Sequence, residues 1–438
     1  MRIIPLIAVC LAISVASGIA AEVDKPAAVK FPLPFAAGDW PGWRGPAGTG
    51  VANADQSPPL KWSDNENVLW KAPVPGRGHG SPTVVGQRIY LATADTETEV
   101  QSVLCFDRET SGRVWETPVH RGHFDKKGNA KSSQASASVA CDGERIFINF
   151  LNHDAIWTTA LSLGGTILWQ TKVADFVNHQ GFGSSPIVYG PLVLVSADSK
   201  GGAGRVAGLD RATGKIVWSN PRPKLPNYCS PTVLHVAGRD QLVMIGCNVV
   251  QGLEPLTGKS LWELAGSTEE CVTSTVTDGQ HIYTSGGYPR NHVAAIKADG
   301  SAKVAWDSPA RVYVPSMVLQ DGYLYAVLDA GVAQCWKADT GEEMWKERVG
   351  GTFSASVVLV GDKLFATDES GRTCIWKADP RKFELLAENQ LGTEAFATPT
   401  ICGSRIYHRV AVQVEGKRQE FLYCVGTSKS EHSASGGR

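Results

Sequence analysis

Histidine, arginine, tyrosine and glutamate side chains recur in the short segments that precede a series of strand-like runs. These residue types bind ligands and transfer protons. The side chains concerned are Arg77, His79, Arg121, His123, His179, Tyr228, Glu269, Arg311, Tyr313 and Glu394, and Glu270, Phe353 and Phe396 lie in the same kind of segment. If the fold gathers these segments at one opening, they form a candidate binding site; otherwise they are ordinary solvated loop residues.

Three of these positions, His79, His123 and His179, suggest a metal site, because imidazole is a common metal ligand. Such a site requires all three rings within ~2.1 Å of one ion, which a sequence does not establish. The G-x-S-x-G, H-E-x-x-H and P-loop motifs of hydrolases, metalloproteases and nucleotide-binding proteins do not occur. From the sequence we therefore assign no catalytic residue and no metal ligand.

The charge balance argues against nucleic acid as a partner. The chain has 42 Lys and Arg against 43 Asp and Glu, a formal net charge of -1. Nucleic-acid-binding domains usually show a basic excess, which is not present here. The 46 Gly and 24 Pro among 438 residues instead favour a globular fold with many short strands and turns.

The N-terminus predicts export. Arg2 precedes an apolar run that ends in small residues at 18–21, the pattern of a secretory signal peptide over residues 1–21. Cys10 does not fit a lipidation site, because Val9 stands where a small residue is expected. We expect a periplasmic or extracellular protein that does not span a membrane, with an irregular arm at 22–66 and a disordered tail at 427–438. Trp40 and Trp43 would anchor the arm, and Arg44 is an alternative ligand contact on it.

The cysteines do not indicate a metal cluster or a redox pair. Nine follow Cys10, with no C-x-x-C spacing. Most lie in strand-like runs, where a buried thiol acts as a small hydrophobe. Their disulfide pairing stays open.

A repeat explains how the candidate side chains are positioned. Tryptophans end successive units at a spacing of about 40 to 50 residues, which is typical of propeller blades. They are Trp70, Trp115, Trp169, Trp218, Trp262, Trp306 and Trp345, and Leu386 takes the next place. Eight unit starts, each with Ser, Thr or Pro before β-branched residues, predict an all-β, eight-bladed β-propeller of four-stranded antiparallel blades over residues 67–426. The last unit lacks an outer strand, so the strand near Trp70 is expected to complete it and close the ring.

The best copy of the turn before the tryptophan is residues 210–218. Asp210 is suited to bonding the turn backbone, and Gly214 to a left-handed conformation. Together with Trp218 these residues resemble the tryptophan-docking motif of quinoprotein-type propellers. Gly258 and Trp262 belong to a looser copy.

This resemblance implies what a catalytic member would contain. Such members bind pyrroloquinoline quinone (PQQ) beside a Ca²⁺ ion held by Glu, Asn and Asp, with a catalytic Asp and commonly a disulfide between adjacent cysteines. This chain has no adjacent cysteines. The same motifs also build blades in members that bind no cofactor.

Three functions remain. The first is an exported non-catalytic module that binds a protein, peptide or polysaccharide and carries no cofactor. The second is a divergent PQQ-dependent oxidoreductase in which an acid such as Glu394 acts as base beside a metal. The third is a subunit resembling the propeller lipoprotein of the outer-membrane β-barrel assembly machinery, and both the missing lipidation motif and the N-terminal arm argue against it.

Overall fold

The protein was analysed as a computed structural model that describes residues 35–125 and 127–427. The predicted signal peptide at 1–21, the arm as far as residue 34 and the tail from residue 428 lie outside the described residues. Within these bounds all regular structure is strand, and the chain forms no helix of the length and apolarity that crossing a membrane requires.

The strands form eight four-stranded antiparallel sheets. In chain order the first half comprises β1 (Val68–Val74), β2 (Thr83–Val85), β3 (Arg88–Asp95), β4 (Val100–Asp107), β5 (Arg113–Arg121), β6 (Ala140–Cys141), β7 (Arg145–Asn152), β8 (Ala155–Ser162), β9 (Ile167–Asp175), β10 (Ile187–Tyr189), β11 (Leu192–Ala197), β12 (Arg205–Asp210), β13 (Ile216–Pro221), β14 (Thr232–Val236), β15 (Arg239–Met244) and β16 (Val249–Leu253). The second half comprises β17 (Ser260–Ala265), β18 (Val276–Thr277), β19 (His281–Gly286), β20 (His292–Lys297), β21 (Val304–Ser308), β22 (Val318–Gln320), β23 (Tyr323–Leu328), β24 (Val332–Lys337), β25 (Glu343–Arg348), β26 (Val358–Val360), β27 (Lys363–Thr367), β28 (Arg372–Lys377), β29 (Leu385–Gln390), β30 (Thr400–Cys402), β31 (Arg405–Val414) and β32 (Lys417–Val425).

The prediction of an eight-bladed propeller is confirmed. Seven sheets are consecutive in sequence, starting at β2, and the eighth has the order β1-β32-β31-β30. In that blade Trp70 is opposite Cys424 and Val74 is opposite Glu420. The N-terminal strand thus supplies the outer edge of the last blade, which closes the ring and fills an edge that would otherwise expose unpaired backbone groups.

A ring of tryptophans joins neighbouring blades at the outer strands. In six cases the indole Nε1 donates to a backbone carbonyl of the next blade at 2.8 to 3.1 Å; the tryptophans are Trp70, Trp115, Trp169, Trp218, Trp306 and Trp345. Trp262 differs, because its Nε1 donates to the Gln241 side chain of its own blade at 2.6 Å. Each ring buries a large apolar surface and also satisfies its one polar group.

A second ring joins the blades around the central channel. The hydroxyl collar contains one buried residue from each blade: Ser81, Ser138, Ser185, Ser230, Ser274, Ser316, Ser356 and Thr398. Six of its backbone N–H groups donate to the hydroxyl of the next member at 2.9 to 3.0 Å. The Ser and Thr residues that open each unit in the sequence therefore link neighbouring blades.

Asp210 and Gly214 form a turn that places Gly214 against the Trp169 ring. Asp210 Oδ1 accepts hydrogen bonds from the backbone N–H of Thr213 and from its hydroxyl, both at 2.8 Å. Gly214 has φ of +74°, and a Cβ there would lie 2.6 Å from the Trp169 ring. The turn of one blade thus packs against the tryptophan of the preceding blade.

We expect Gly214→Ala to lower the free energy of unfolding by about 2 kcal/mol, because it adds a clash with Trp169 to the strain of a left-handed alanine. Gly238→Ala is the matched control: φ is +75°, but nothing lies within 4 Å of a Cβ at that position. It should cost about 1 kcal/mol. Equal losses in denaturant unfolding would show that the tryptophan contact contributes nothing measurable.

The arm crosses one mouth of the channel. Trp40 forms a bridge with Val84 in the first blade, and Val51 forms one with Leu359 in the seventh. Between them the Trp43 indole donates to Ser274 of the hydroxyl collar at 2.8 Å. The Arg44 guanidinium, which is buried, donates to the Met317 carbonyl at 2.5 Å. The arm therefore covers the channel from one side.

Candidate functional site

A chamber of about 610 Å³ lies inside the mouth of the channel opposite the arm. Its walls come from the loops that lead from an outer strand to the next inner strand, and its floor includes Trp43. The polar and aromatic residues that line it are Trp43, His79, Asn129, Lys131, Ser132, Ser136, His179, Gln180, Phe182, Ser185, Tyr228, Ser230, Glu270, Tyr288, Tyr313, Ser354, Ser356, Phe396 and Thr398. This volume is within the range of small-molecule sites, which mostly combine apolar walls with a few polar groups.

Backbone hydrogen bonds between loops hold the chamber walls in place. The Tyr228 N–H donates to the Cys271 carbonyl at 3.0 Å, and the Glu270 N–H donates to the Tyr288 carbonyl at 3.0 Å. The Asp329 carboxylate accepts the Tyr313 N–H at 3.0 Å. The first of these bonds joins the loops of neighbouring blades and the other two join a loop to its own blade, and together they preorganise the wall.

Glu270 is the centre of a hydrogen-bonded cluster. Its Oε2 accepts the Tyr313 hydroxyl at 2.9 Å, and its Oε1 lies 3.4 Å from His179 Nε2. The Lys200 ammonium lies 3.2 Å from His179 Nδ1. An ammonium can only donate, so Nδ1 is the acceptor in this contact and Nε2 faces Glu270. Only 5% of the Glu270 side chain is exposed.

His79 has a polar atom without a partner in the described structure, because its Nε2 is buried and unbonded. The Tyr228 hydroxyl is also buried, with the backbone N–H of Gln180 beside it. Burial, followed by the charges of Arg77, Arg409 and Arg418, lowers the pKa of His79 well below its ordinary value. Burial also raises the pKa of Tyr228. Both groups are therefore neutral near pH 7, and they line a chamber in which a ligand could bond them.

The remaining wall carries an ion pair between Lys131 and Glu369. Lys131 Nζ lies 2.7 Å from Glu369 Oε2, and Ser354 donates to Glu369 Oε1 at 2.7 Å. Lys131 is the only lysine, and Glu270 the only carboxylate, among the described residues that line the chamber. The ammonium of Lys131 is paired with Glu369, whereas Glu270 contacts the Tyr313 hydroxyl and the His179 ring.

The structure separates the candidates named from the sequence into two groups. His79, His179, Tyr228, Tyr313, Glu270 and Phe396 line the chamber, whereas Arg77, Arg121, His123, Glu269, Arg311, Phe353 and Glu394 do not. His123 instead packs edge-on against His153, with ring centroids 4.4 Å apart. Glu394 pairs with Arg418 at 2.6 Å. The guanidinium of Arg311 lies 5.3 Å from the centroid of the Tyr313 ring.

A second cavity, of about 780 Å³, lies at the arm side of the channel. Its lining includes Phe35, Trp40 and Pro46 of the arm and Tyr189 of β10. Trp43 borders both cavities. The sequence marked Trp43 as an anchor of the arm, but it did not show that this ring separates two chambers.

The chamber does not fit PQQ and Ca²⁺. PQQ carries carboxylates, and the lining offers no arginine to bind them, while Glu270 would repel them. Ca²⁺ takes six to eight oxygen ligands, and the described residues contain no group of three or more His, Cys, Asp or Glu placed to hold a metal ion. The nine described cysteines are buried and free. We therefore derive no reaction step through the quinone.

The closed ring of eight blades with a chamber at one mouth defines a PQQ-like repeat propeller of the quinoprotein superfamily. The chain belongs to the family whose model is described as "Outer membrane protein assembly factor BamB"; the model matches residues 60–148 and 99–347.

Relatives and solved structures agree with this assignment. The outer membrane protein assembly factor BamB of Bordetella pertussis (strain Tohama I) is 23% identical over 355 residues, which is 76% of this chain and 81% of that protein. The crystal structure of BamB from Moraxella catarrhalis has a TM-score of 0.56 at 13% identity and covers 81% of this chain and 96% of that one. The quinohemoprotein alcohol dehydrogenase of Comamonas testosteroni has a TM-score of 0.62 at 14% identity and covers 89% of this chain and 81% of that one. At these identities the solved structures show the shared fold alone.

Proposed function

We propose that this protein is an exported, non-catalytic recognition module that binds a protein or peptide of the cell envelope on the loop face around the chamber. The observation that carries this proposal is the chamber itself: preorganised, lined by aromatic and polar groups, and without a set of metal ligands among its described residues. Rigid scaffolds that display binding residues on loops are a common basis of recognition.

The specific form that we propose is a docking subunit of outer membrane protein assembly. The family description and the Bordetella relative support it. A propeller suits this role, because its loop faces and short outer strands can contact a partner without any change in the ring. A polysaccharide ligand is the remaining form of the same proposal. No observation favours an oxidoreductase, since Glu394 pairs with Arg418 outside the chamber lining.

Site-specific crosslinking tests the proposed docking face. A photoreactive amino acid at Tyr288, which is 52% exposed at the chamber, should crosslink an envelope protein in cells that make this protein. The matched control is Val217, which is 55% exposed on β13 and distant from the chamber in the fold. We expect a crosslinked species from position 288 at least fivefold stronger than from position 217.

The identity of the captured protein separates the general proposal from the specific one. A subunit of the outer-membrane assembly machinery, identified by mass spectrometry, would support the docking role. Another envelope protein would support recognition and exclude that role. Equal labelling from both positions, or none from position 288, would contradict a docking face around the chamber.

A further inference from the structure

One carboxylate lies in the described lining of the chamber, and no lysine or arginine contacts it. Glu270 is almost fully buried, and its side chain contacts the Tyr313 hydroxyl and the His179 ring. Lys200 contacts His179 and not Glu270. Lys131 is paired with Glu369. A buried carboxylate that faces a solvent-accessible cavity attracts a cation, because the low dielectric of the site strengthens the interaction.

Aromatic residues line the same chamber as this carboxylate. Tyr228, Tyr288 and Tyr313 line the same chamber, with Trp43 at its floor. The faces of tyrosine and tryptophan rings attract organic cations, and several rings around an acid form an aromatic cage. The Tyr228 hydroxyl lies at the same wall, beside the Gln180 backbone.

We propose that the chamber binds the cationic side chain of a peptide, an arginine guanidinium or a lysine ammonium, with Glu270 as its counter-ion and Tyr228, Tyr288 and Tyr313 as its walls. This rests on the proposed function, because the cation would belong to the bound partner. The volume of about 610 Å³ admits such a side chain with its backbone. The same charge excludes anionic ligands.

The first experiment is a calorimetric titration of the purified full-length protein with Nα-acetyl-arginine amide and Nα-acetyl-lysine amide. We expect at least one to bind with a Kd of about 0.1 mM or tighter. Nα-acetyl-citrulline amide keeps the shape of arginine without its charge and should bind at least tenfold more weakly. Tryptophan fluorescence gives a second readout, because Trp43 lines the chamber.

Glu270→Gln removes the charge and keeps the shape, and it should weaken binding of the cationic probe roughly ten- to one-hundredfold. Glu269→Gln is the matched control, because it makes the same charge change at the neighbouring position outside the chamber lining. That variant should bind within twofold of the wild type. If Glu270→Gln does not fold, Tyr288→Leu at the half-exposed wall should weaken binding by about three- to tenfold.

The proposal would be overturned by citrulline amide binding as tightly as arginine amide, by an unchanged Kd in Glu270→Gln, or by Ca²⁺-dependent binding of PQQ that displaces the cationic probe. Failure of the titration combined with successful crosslinking at Tyr288 would remove the cation site and leave the proposed docking function standing. The two proposals therefore fail separately.

Discussion

Glu420→Ala is expected to lower the free energy of unfolding by about 3 to 5 kcal/mol, because it leaves a buried arginine without its counter-ion. Arg409 and Glu420 lie on neighbouring strands of the closing blade, 2.5 Å apart and with their side chains 1% and 2% exposed. Arg409 also donates to the Ala92 carbonyl of the first blade at 2.5 Å, and Glu420 accepts the Gly78 N–H at 3.2 Å. The loss would be measured by urea or guanidinium unfolding.

The control is Glu116→Ala, which breaks a surface pair with Arg113 at 2.7 Å and should change stability by less than about 1 kcal/mol. A double variant, Arg409→Met with Glu420→Leu, should be more stable than Glu420→Ala alone, because it leaves no unpaired charge in the interior. Similar losses for Glu116→Ala and Glu420→Ala would refute the view that this pair fastens the last blade to the first.

Acid is expected to destabilise the protein between pH 6.5 and 4, and His408 should account for up to about 3 kcal/mol of this loss. Burial lowers the pKa of His408 from 6.5 to about 4. In this window the unfolded chain binds a proton at this residue and the folded protein does not. The stability is therefore present above pH 6.5 and is lost as the pH falls through about 4.

A variant isolates this effect. His408→Met removes the titrating group from β31 and should reduce the difference in unfolding free energy between pH 7 and pH 4 by about 3 kcal/mol relative to the wild type. His235→Gln is the control, because the His235 side chain is 72% exposed; it should leave the pH dependence unchanged within about 0.5 kcal/mol. An unaltered slope in His408→Met would show that the folded protein accepts a proton there without cost.

The blade architecture could be predicted because the residues that define each blade lie close together in the chain. The tryptophan, the Thr-Gly turn and the Ser or Thr at each unit start recur along the chain, and each makes contacts within a short segment or with the next copy. Closure of the ring by the strand at Trp70 was predicted because the last unit lacks an outer strand. The pairing of Trp70 with Cys424 confirms it. Trp262 breaks the pattern, because Gln241 of its own blade offers the indole a closer acceptor.

The candidate site was predicted less completely. The sequence identified the loops, and four of the ten selected residues, His79, His179, Tyr228 and Tyr313, line the chamber. Of the two adjacent acids it selected Glu269, whereas Glu270 lines the chamber, because the direction of a loop side chain depends on the backbone path. For Glu270 that path is set by its bridge to Tyr288. The sequence also did not reveal which charged side chains form ion pairs. Glu394, for example, pairs with Arg418 of β32.

The sequence by itself determined the number of blades, the closure of the ring and the loops that meet at the channel, because these depend on a repeated pattern of turn formers, β-branched residues and tryptophans. Only the tertiary structure decided which side chains share the chamber, that Trp43 of the arm forms its floor, and that Glu270 faces it without a cation. The reason is physical: the repeat specifies contacts between each blade and the next, whereas the channel brings together single residues from loops far apart in the chain, and their burial and charge balance exist only once the ring has closed.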